Sequence, residues 1–327
     1  MGEVRTLTVE PQDAGVRLDR WLRRRWPHLG QGHIHKLARE GQLRVDGARV
    51  RAETRLSAGA RVRVPPLPDA SPLSGAEPIS ERDAAFARGL VLFEDPEVLV
   101  LNKPAGLAVQ GGTKTTAHID RLLGAWGEGE QRPRLTHRLD RDTSGVLILG
   151  KNAAAAAKLA GAFANRLARK TYWAIVEGNP RPPSGSIDLS LAKTGQGDRE
   201  RMTPAPPRDE RALAALTEFV TLARAGRRAA WLALRPHTGR THQLRAHLLA
   251  IGHPILGDRK YATASSLAAS AGLPLQLHAR RLTIPHPSGG LIDFEAPPGP
   301  AMEAGFARFG FDAGSAPADP FRSGRAG

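Results

Sequence analysis

Residues 134–150, RLTHRLDRDTSGVLILG, restrict the fold more than any other stretch of the chain. The run Val146-Leu147-Ile148-Leu149 is apolar without alternation. That pattern suits a strand covered on both faces, so it calls for a sheet inside a layered core. Two carboxylates, Asp140 and Asp142, and the arginines Arg134, Arg138 and Arg141 stand directly before it. Charges placed where a chain enters a core sit at the rim of something buried.

The periodicity changes along the rest of the chain. Leu18, Trp21 and Leu22 share one helical face; Ile34, Leu37 and Ala38 share another, ended by Gly41. Leu43 and Val45 then lead into Asp46-Gly47, a hairpin turn pair, and 61–64 alternates as a strand. Residues 14–66 therefore read as a small module of helices followed by strands. Residues 67–88, rich in Pro, Ser and Ala, read as a linker. Apolar segments at 91–93 and 98–101, a helix over about 152–167, and strands at 172–176, 216–222, 229–234 and 282–284 populate a second domain, 89–300. Residues 301–327 read as a disordered tail. Helices and antiparallel strands interleave without a βαβ rhythm, which makes the fold class α+β.

Charge bears on the partner. The 327 residues carry a net charge of +15, and only eight of the 47 basic residues are lysine. GC-rich coding accounts for choosing arginine over lysine, but poorly for the net excess, so a polyanion such as RNA is the expected partner. Residues 1–66 hold 14 Arg and Lys against 7 Asp and Glu. Arg17, Arg20, Lys36 and Arg39 lie off the apolar helix faces and are the candidate phosphate contacts as a group, although for any single one a solvated helix face is the simpler account. The absence of cysteine excludes disulfides, thiolate zinc sites and a cysteine nucleophile, and fits the cytoplasm. The N-terminus lacks a leader pattern and no later run spans a bilayer, so no membrane role is expected. Gly-rich nucleotide loops, HExxH and GxSxG are not found either, and no cofactor or metal is expected.

Asp140 alone fits a nucleophile, a metal ligand or a structural ion pair. An extended segment over 135–141 would aim Asp140 and Asp142 the same way, as in a metal-binding pair. The flanking arginines would repel a cation, so a carboxylate kept ionised by arginine ranks above it. A second constellation, RPHTGRTHQLRAHLLAIGHPILGD at 235–258, places Arg240 at a turn and Arg245 in a helix, and one of them is positioned to serve that carboxylate. His242 and His247, five apart, do not share a face as i,i+4 ligands would, and read as packing or hydrogen-bonding histidines.

Four motifs in one order, LNKPAGLAVQGG at 101–112, HRLDRDTSG at 137–145, RKTYWAIVEG at 169–178 and TGRTHQLRAHL with GHPILGD, resemble the RluA family of RNA pseudouridine synthases. The resemblance spans about 89–298, and LHARRLTIPHP at 277–287 is similar to the family's closing strand. The module at 16–66 is similar to the S4 RNA-binding domain, with Asp46-Gly47 where an Asn-Gly turn is usual and Gly30-Gln31-Gly32-His33 where Ser-Arg is usual. The resemblance implies the pseudouridine synthase fold, with a mixed, largely antiparallel sheet, and a cofactor-free isomerisation that detaches uracil from C1′ and rejoins it through C5. It implies Asp140 as the essential aspartate, Arg240 as its partner, and Tyr172 as the residue that packs on the base and helps move the C5 proton. Arg138 is the candidate for filling the space left by a flipped base, with a phosphate contact or a structural ion pair as the equal alternative; Lys103 and Lys170 are candidates to meet phosphates or the base edge, with plain surface charge as the alternative, and Leu244 is a candidate substrate contact. The expected partner is 23S ribosomal RNA or a large-subunit assembly intermediate, of the RluC or RluD kind, and the expected state a monomer. Two rivals stay open, an RNA-binding assembly factor without catalysis and a metal-dependent phosphohydrolase using Asp140 with Asp142.

Overall fold

Leu18, Trp21 and Leu22 are buried on one face of α1 (Leu18–Arg25), and Ile34, Leu37 and Ala38 on one face of α2 (Gln31–Arg39). The three-four spacing of the sequence has become a packing surface. The computed structural model describes residues 4–26, 29–67, 79–111, 117–195, 200–206 and 208–322. The chain divides into two units, Met1–Pro78 and Ile79–Gly327. In the first, both helices share a core with an antiparallel sheet of order β1 (Arg5–Thr8), β4 (Arg61–Val64), β2 (Arg44–Val45), β3 (Ala48–Arg49). Asp46 and Gly47 join β2 to β3 with φ of 49° and 80°. Both are left-handed, as the tight hairpin turn that Asp-Gly favours requires.

The second unit is built on one sheet, ten-stranded among the described residues. Its strands are β5 (Val91–Glu94), β6 (Val98–Lys103), β7 (Arg134–Leu135), β8 (Ser144–Gly150), β9 (Arg169–Glu177), β10 (Ser184–Asp188), β13 (Leu216–Ala225), β14 (Ala229–Pro236), β15 (Leu277–Pro285) and β16 (Leu291–Glu295). A separate hairpin pairs β11 (Leu191–Thr194) with β12 (Arg201–Pro204). The main order is β10-β13-β14-β9-β15-β8-β6-β5, with β16 beside β15 and β7 beside β8. Neighbours run antiparallel except at the β15–β8 seam, which is parallel. The sheet is therefore mixed and mostly antiparallel, and the fold class is α+β.

The unbroken apolar runs of β6 and β8 are explained by cover on both faces. Val98, Val100, Val146 and Ile148 pack with Leu159 of α5 (Ala153–Ala164). Leu99, Leu101, Leu147 and Leu149 pack with Ile119 of α4 (Ile119–Leu122). Across the sheet, Ala174, Leu232 and Leu234 pack with Leu244 and Leu248 of α6 (Gln243–Ala250). A short α7 (Ala264–Ala269) lies between α6 and β15 in the chain. Tyr172 touches both the α4 and the α6 cores, so it stands where the two meet.

Two boundaries differ from the sequence reading. Part of the stretch 67–88 read as linker is helix, α3 (Glu81–Gly89), whose N-cap Ser80 accepts the Asp83 N–H; its one buried apolar residue, Ala87, leaves little periodicity to detect. Residues 68–78 of that stretch lie outside the described residues. The tail read as disordered begins with α8 (Pro300–Phe309), started by Pro300 and closed by Gly310 at φ 69°. Met302 and Phe306 are buried against Trp173 and Trp231, and Phe311 and Phe321 pack on the same cluster. Aromatic residues spaced through a Gly- and Pro-rich segment supply a core that composition alone conceals.

Candidate active site

A cavity of about 800 Å³ opens in the second unit between the segment before β8, the start of β9, and the segment joining β14 to α6. The first wall is built around Asp140. Thr143 N–H donates to the Asp140 carbonyl at 3.1 Å, which turns the chain, so 135–141 is not extended through to Asp142. Asp142 is exposed on that turn, whereas Asp140 lines the cavity with its side chain 22% exposed. The metal-pair geometry is thereby lost. Behind the turn, the His137 Nε2 accepts the Ile148 N–H at 3.1 Å, and burial, reinforced by Lys170, lowers the histidine's pKa to about 3, so it stays a neutral acceptor. Gly145, with φ of 111°, brings β8 against β15 so closely that a Cβ there would meet the Ala279 carbonyl oxygen at 2.2 Å.

The opposite wall is set by the turn into α6. His242 adopts a left-handed φ of 51°. The buried Gln243 side chain fixes the turn: it accepts from Thr238 Oγ1 at 2.7 Å and from the Arg240 N–H at 3.1 Å, and donates to the Leu216 carbonyl at 3.0 Å. One helical turn on, Arg245 is buried, with Nε and Nη2 donating to both oxygens of Asp258 at 2.7 and 2.8 Å. That bidentate grip leaves Nη1 pointing at Asp140, 3.7 Å from Oδ2. Burial alone would lower the Arg245 pKa, but Asp258 and then Asp140 outweigh it and raise it, so the guanidinium is always charged. His242 Nε2 approaches the same Oδ2 at 3.8 Å. On the floor, burial and then the Asp140 charge push the Tyr172 phenol's pKa upward, which keeps it protonated. A carboxylate held by a fixed cation beside a neutral phenol, in a cavity large enough for a nucleobase, is equipped to attack an electrophilic carbon or to take a proton from it.

Residues 97–250 match the family model described as RNA pseudouridylate synthase. The chain is 33% identical to Ribosomal large subunit pseudouridine synthase C of Escherichia coli K12 over 90% of this chain and 93% of that one. The chain belongs to the RNA pseudouridine synthase family. Its Vibrio vulnificus relative of the same name is 32% identical over 93% and 97% of the two chains. An uncharacterised RNA pseudouridine synthase of Synechocystis is 34% identical over 88% and 86%. Among solved structures, human RNA pseudouridylate synthase domain containing 4 superposes with a TM-score of 0.57 and 27% identity, covering 70% of this chain and 97% of that one.

The synthase brings Asp140, Tyr172, Arg138, Lys170, Leu244 and Arg240 to one cavity, but not in the roles expected for all of them. Arg240 forms no ion pair with Asp140 among the described residues; its Nε donates instead to the Ala214 carbonyl at 3.0 Å. Arg245 is the arginine at Asp140. Lys103 does not meet a phosphate either. It is fully buried and donates to the carbonyls of Pro104, Leu107 and Arg141 at 2.8 to 2.9 Å, tying the 104–107 loop to the turn of Asp140. Burial lowers its pKa to about 8 against the pull of Asp142 and Asp140. Arg138 is exposed at the cavity edge, and it and Lys170 have no hydrogen-bond or ion-pair partner among the described residues.

His247 is a hydrogen-bonding core residue, placed between Thr217 Oγ1 and the Leu189 carbonyl at 3.0 and 2.9 Å. In the first unit, Arg20, Lys36 and Arg39 are exposed, while Arg17 folds back onto Asp19 at 2.6 Å and is less free than a phosphate contact needs. The sequence reading missed Asp258 and Tyr261. The carboxylate in GHPILGD was a signal for the first, since a buried arginine needs an anion.

Proposed function

We propose that this synthase isomerises uridines of large-subunit, 23S ribosomal RNA, with Asp140 as the nucleophile and Arg245 as its ion-pair partner. The observation that carries the reading is the Asp140–Arg245–Asp258 line: a buried guanidinium gripped from behind by one carboxylate and aimed at another on the cavity wall. The ribosomal substrate follows from likeness to relatives named for the large subunit. Their lengths are matched almost end to end.

A stacked uridine reaches Asp140 only after it is flipped out, at a cost of a few kcal/mol, which filling the vacated space in the RNA offsets in part. Arg138, at the cavity edge and without a hydrogen-bond or ion-pair partner among the described residues, is the side chain for that space, and Lys170, likewise without one, is a cation for the flipped nucleotide. The N1–C1′ bond breaks, C5 bonds to C1′, the C5 proton leaves and N1 gains one, so no cofactor enters the balance. Asp140 serves either by bonding to C1′ or by taking the 2′ proton of a glycal route. Tyr172 packs on the base as a neutral phenol; in the route where Asp140 becomes an ester, its charge leaves and burial, the larger cause, still holds the phenol's pKa up. The exposed Arg20, Lys36 and Arg39 of the S4-like first unit hold RNA phosphates. The synthase works as a monomer in the cytoplasm, where its substrate is.

The test is product mapping. Unmodified 23S, 16S and transfer RNA are incubated with the protein and pseudouridines located by carbodiimide-dependent primer extension. Modification confined to 23S RNA is expected; modification confined to transfer RNA or 16S RNA contradicts the ribosomal assignment.

A further inference from the structure

His242 stands where two sets of contacts meet. Its Nε2 is 3.8 Å from Asp140 Oδ2, and its Nδ1 is 3.1 Å from the Tyr261 hydroxyl. That hydroxyl already accepts the backbone N–H of Met202, in β12, at 2.7 Å. A phenol has one proton to give, and an amide N–H cannot receive it, so the proton goes to His242 Nδ1. An uncharged imidazole whose Nδ1 accepts carries its own proton on Nε2, the nitrogen that faces the carboxylate. Burial, with Arg245 and Lys260, keeps the ring uncharged against the pull of Asp140 and Asp258. Arg245 Nη1 makes its nearest approach to the same Oδ2, and Oδ1 accepts no hydrogen bond among the described residues. The nearest approaches of both side chains thus fall on one carboxylate oxygen.

The backbone supports the same assignment. A histidine at φ 51° is held in a left-handed conformation that persists only where the surroundings impose it. Here that conformation aims the ring at Asp140 rather than along the helix.

We propose that His242 is a positioning residue for the isomerisation: as the Nε2–H tautomer set by Tyr261, it joins Arg245 in holding Oδ2 of Asp140, so that Oδ1 is the oxygen that meets the ribose. The proposal rests on the reading of Asp140 as the nucleophile. It also makes the β11–β12 hairpin, through Met202, a part of the structure that sets the nucleophile's orientation.

His242→Gly tests it, because glycine takes φ 51° without strain and leaves a space shaped for an imidazole. The expected result is a fall in kcat of about 30-fold with KM for RNA changed less than about 2-fold. Added imidazole restores much of the loss; 1-methylimidazole, which has no N–H to donate, does not. Tyr261→Phe, which keeps the ring and removes the phenol proton, lowers kcat by about 5-fold at unchanged KM. A His242→Gly enzyme with wild-type kcat, or one restored by both bases or by neither, overturns the proposal. Asp140→Asn is assayed alongside: if it is inert while His242→Gly is fully active, the positioning role alone fails, and if it is active, the nucleophile reading itself fails.

Discussion

Arg245 makes two hydrogen bonds to Asp258 and turns its remaining nitrogen to Asp140, while Arg240, five positions earlier, spends its Nε on a backbone carbonyl. Arg245→Lys keeps a charge but cannot grip Asp258 in two places. Its single-turnover rate should fall about 100-fold, whereas Arg240→Ala should stay within about 3-fold of wild type. Rapid-quench assays with saturating enzyme decide this, and the reverse ranking would return the pairing role to Arg240. TGRTHQLRAHL marks both arginines as candidates, but the choice between them depends on the left-handed turn at His242 and on a carboxylate thirteen residues further on. Neither is a property of spacing. Lys103 was illegible for a related reason: a lysine beside Asn and Pro looks like surface charge until three carbonyls are found around its ammonium.

The seam between β8 and β15 carries the element-level chemistry. His278 Nε2 donates to the Ala296 carbonyl at 3.1 Å, so Nδ1, 2.9 Å from Ser144 Oγ, accepts the serine proton. Burial lowers its pKa from 6.5 to about 4. Because the unfolded chain protonates first, this contribution to stability is complete above pH 6.5 and is lost as the pH falls toward 4. The slope is at most about 1.4 kcal/mol per pH unit, roughly 3 kcal/mol in all. Urea unfolding of wild type and His278→Asn between pH 7.5 and 4.5 should show the variant weaker at pH 7.5 and shallower in its acid loss. Parallel slopes would remove His278 from the seam's acid sensitivity.

A second expectation concerns α8, where Phe306→Ala should cost about 3 to 5 kcal/mol by opening the Trp173–Trp231 cluster. A loss below about 1 kcal/mol in the same assay would mean that α8 covers no essential core. Strands such as β8, β9 and β14 were legible because continuous apolar runs leave few alternatives. The last helix was not, because its buried face consists of a few residues scattered among Gly, Ala and Pro.

At the scale of the molecule, the net charge of +15 and the cavity divide affinity from chemistry. Deleting residues 1–78 removes Arg20, Lys36 and Arg39, and a loss of three phosphate contacts makes the slope of log affinity against log salt shallower by about 2. Isomerisation of a short RNA containing the target uridine should persist, since every cavity residue belongs to the second unit. An unchanged slope would take RNA binding away from the first unit.

The central claim, that Asp140 performs the isomerisation, is tested most directly by tritium release from 23S RNA labelled at uridine C5, because that hydrogen must leave when C5 becomes the glycosidic atom. Wild-type protein should release tritium, and Asp140→Asn should release none while binding the RNA within about 3-fold of wild type, since affinity lies in the basic surface. Release by Asp140→Asn at a rate near that of the wild type would contradict the account.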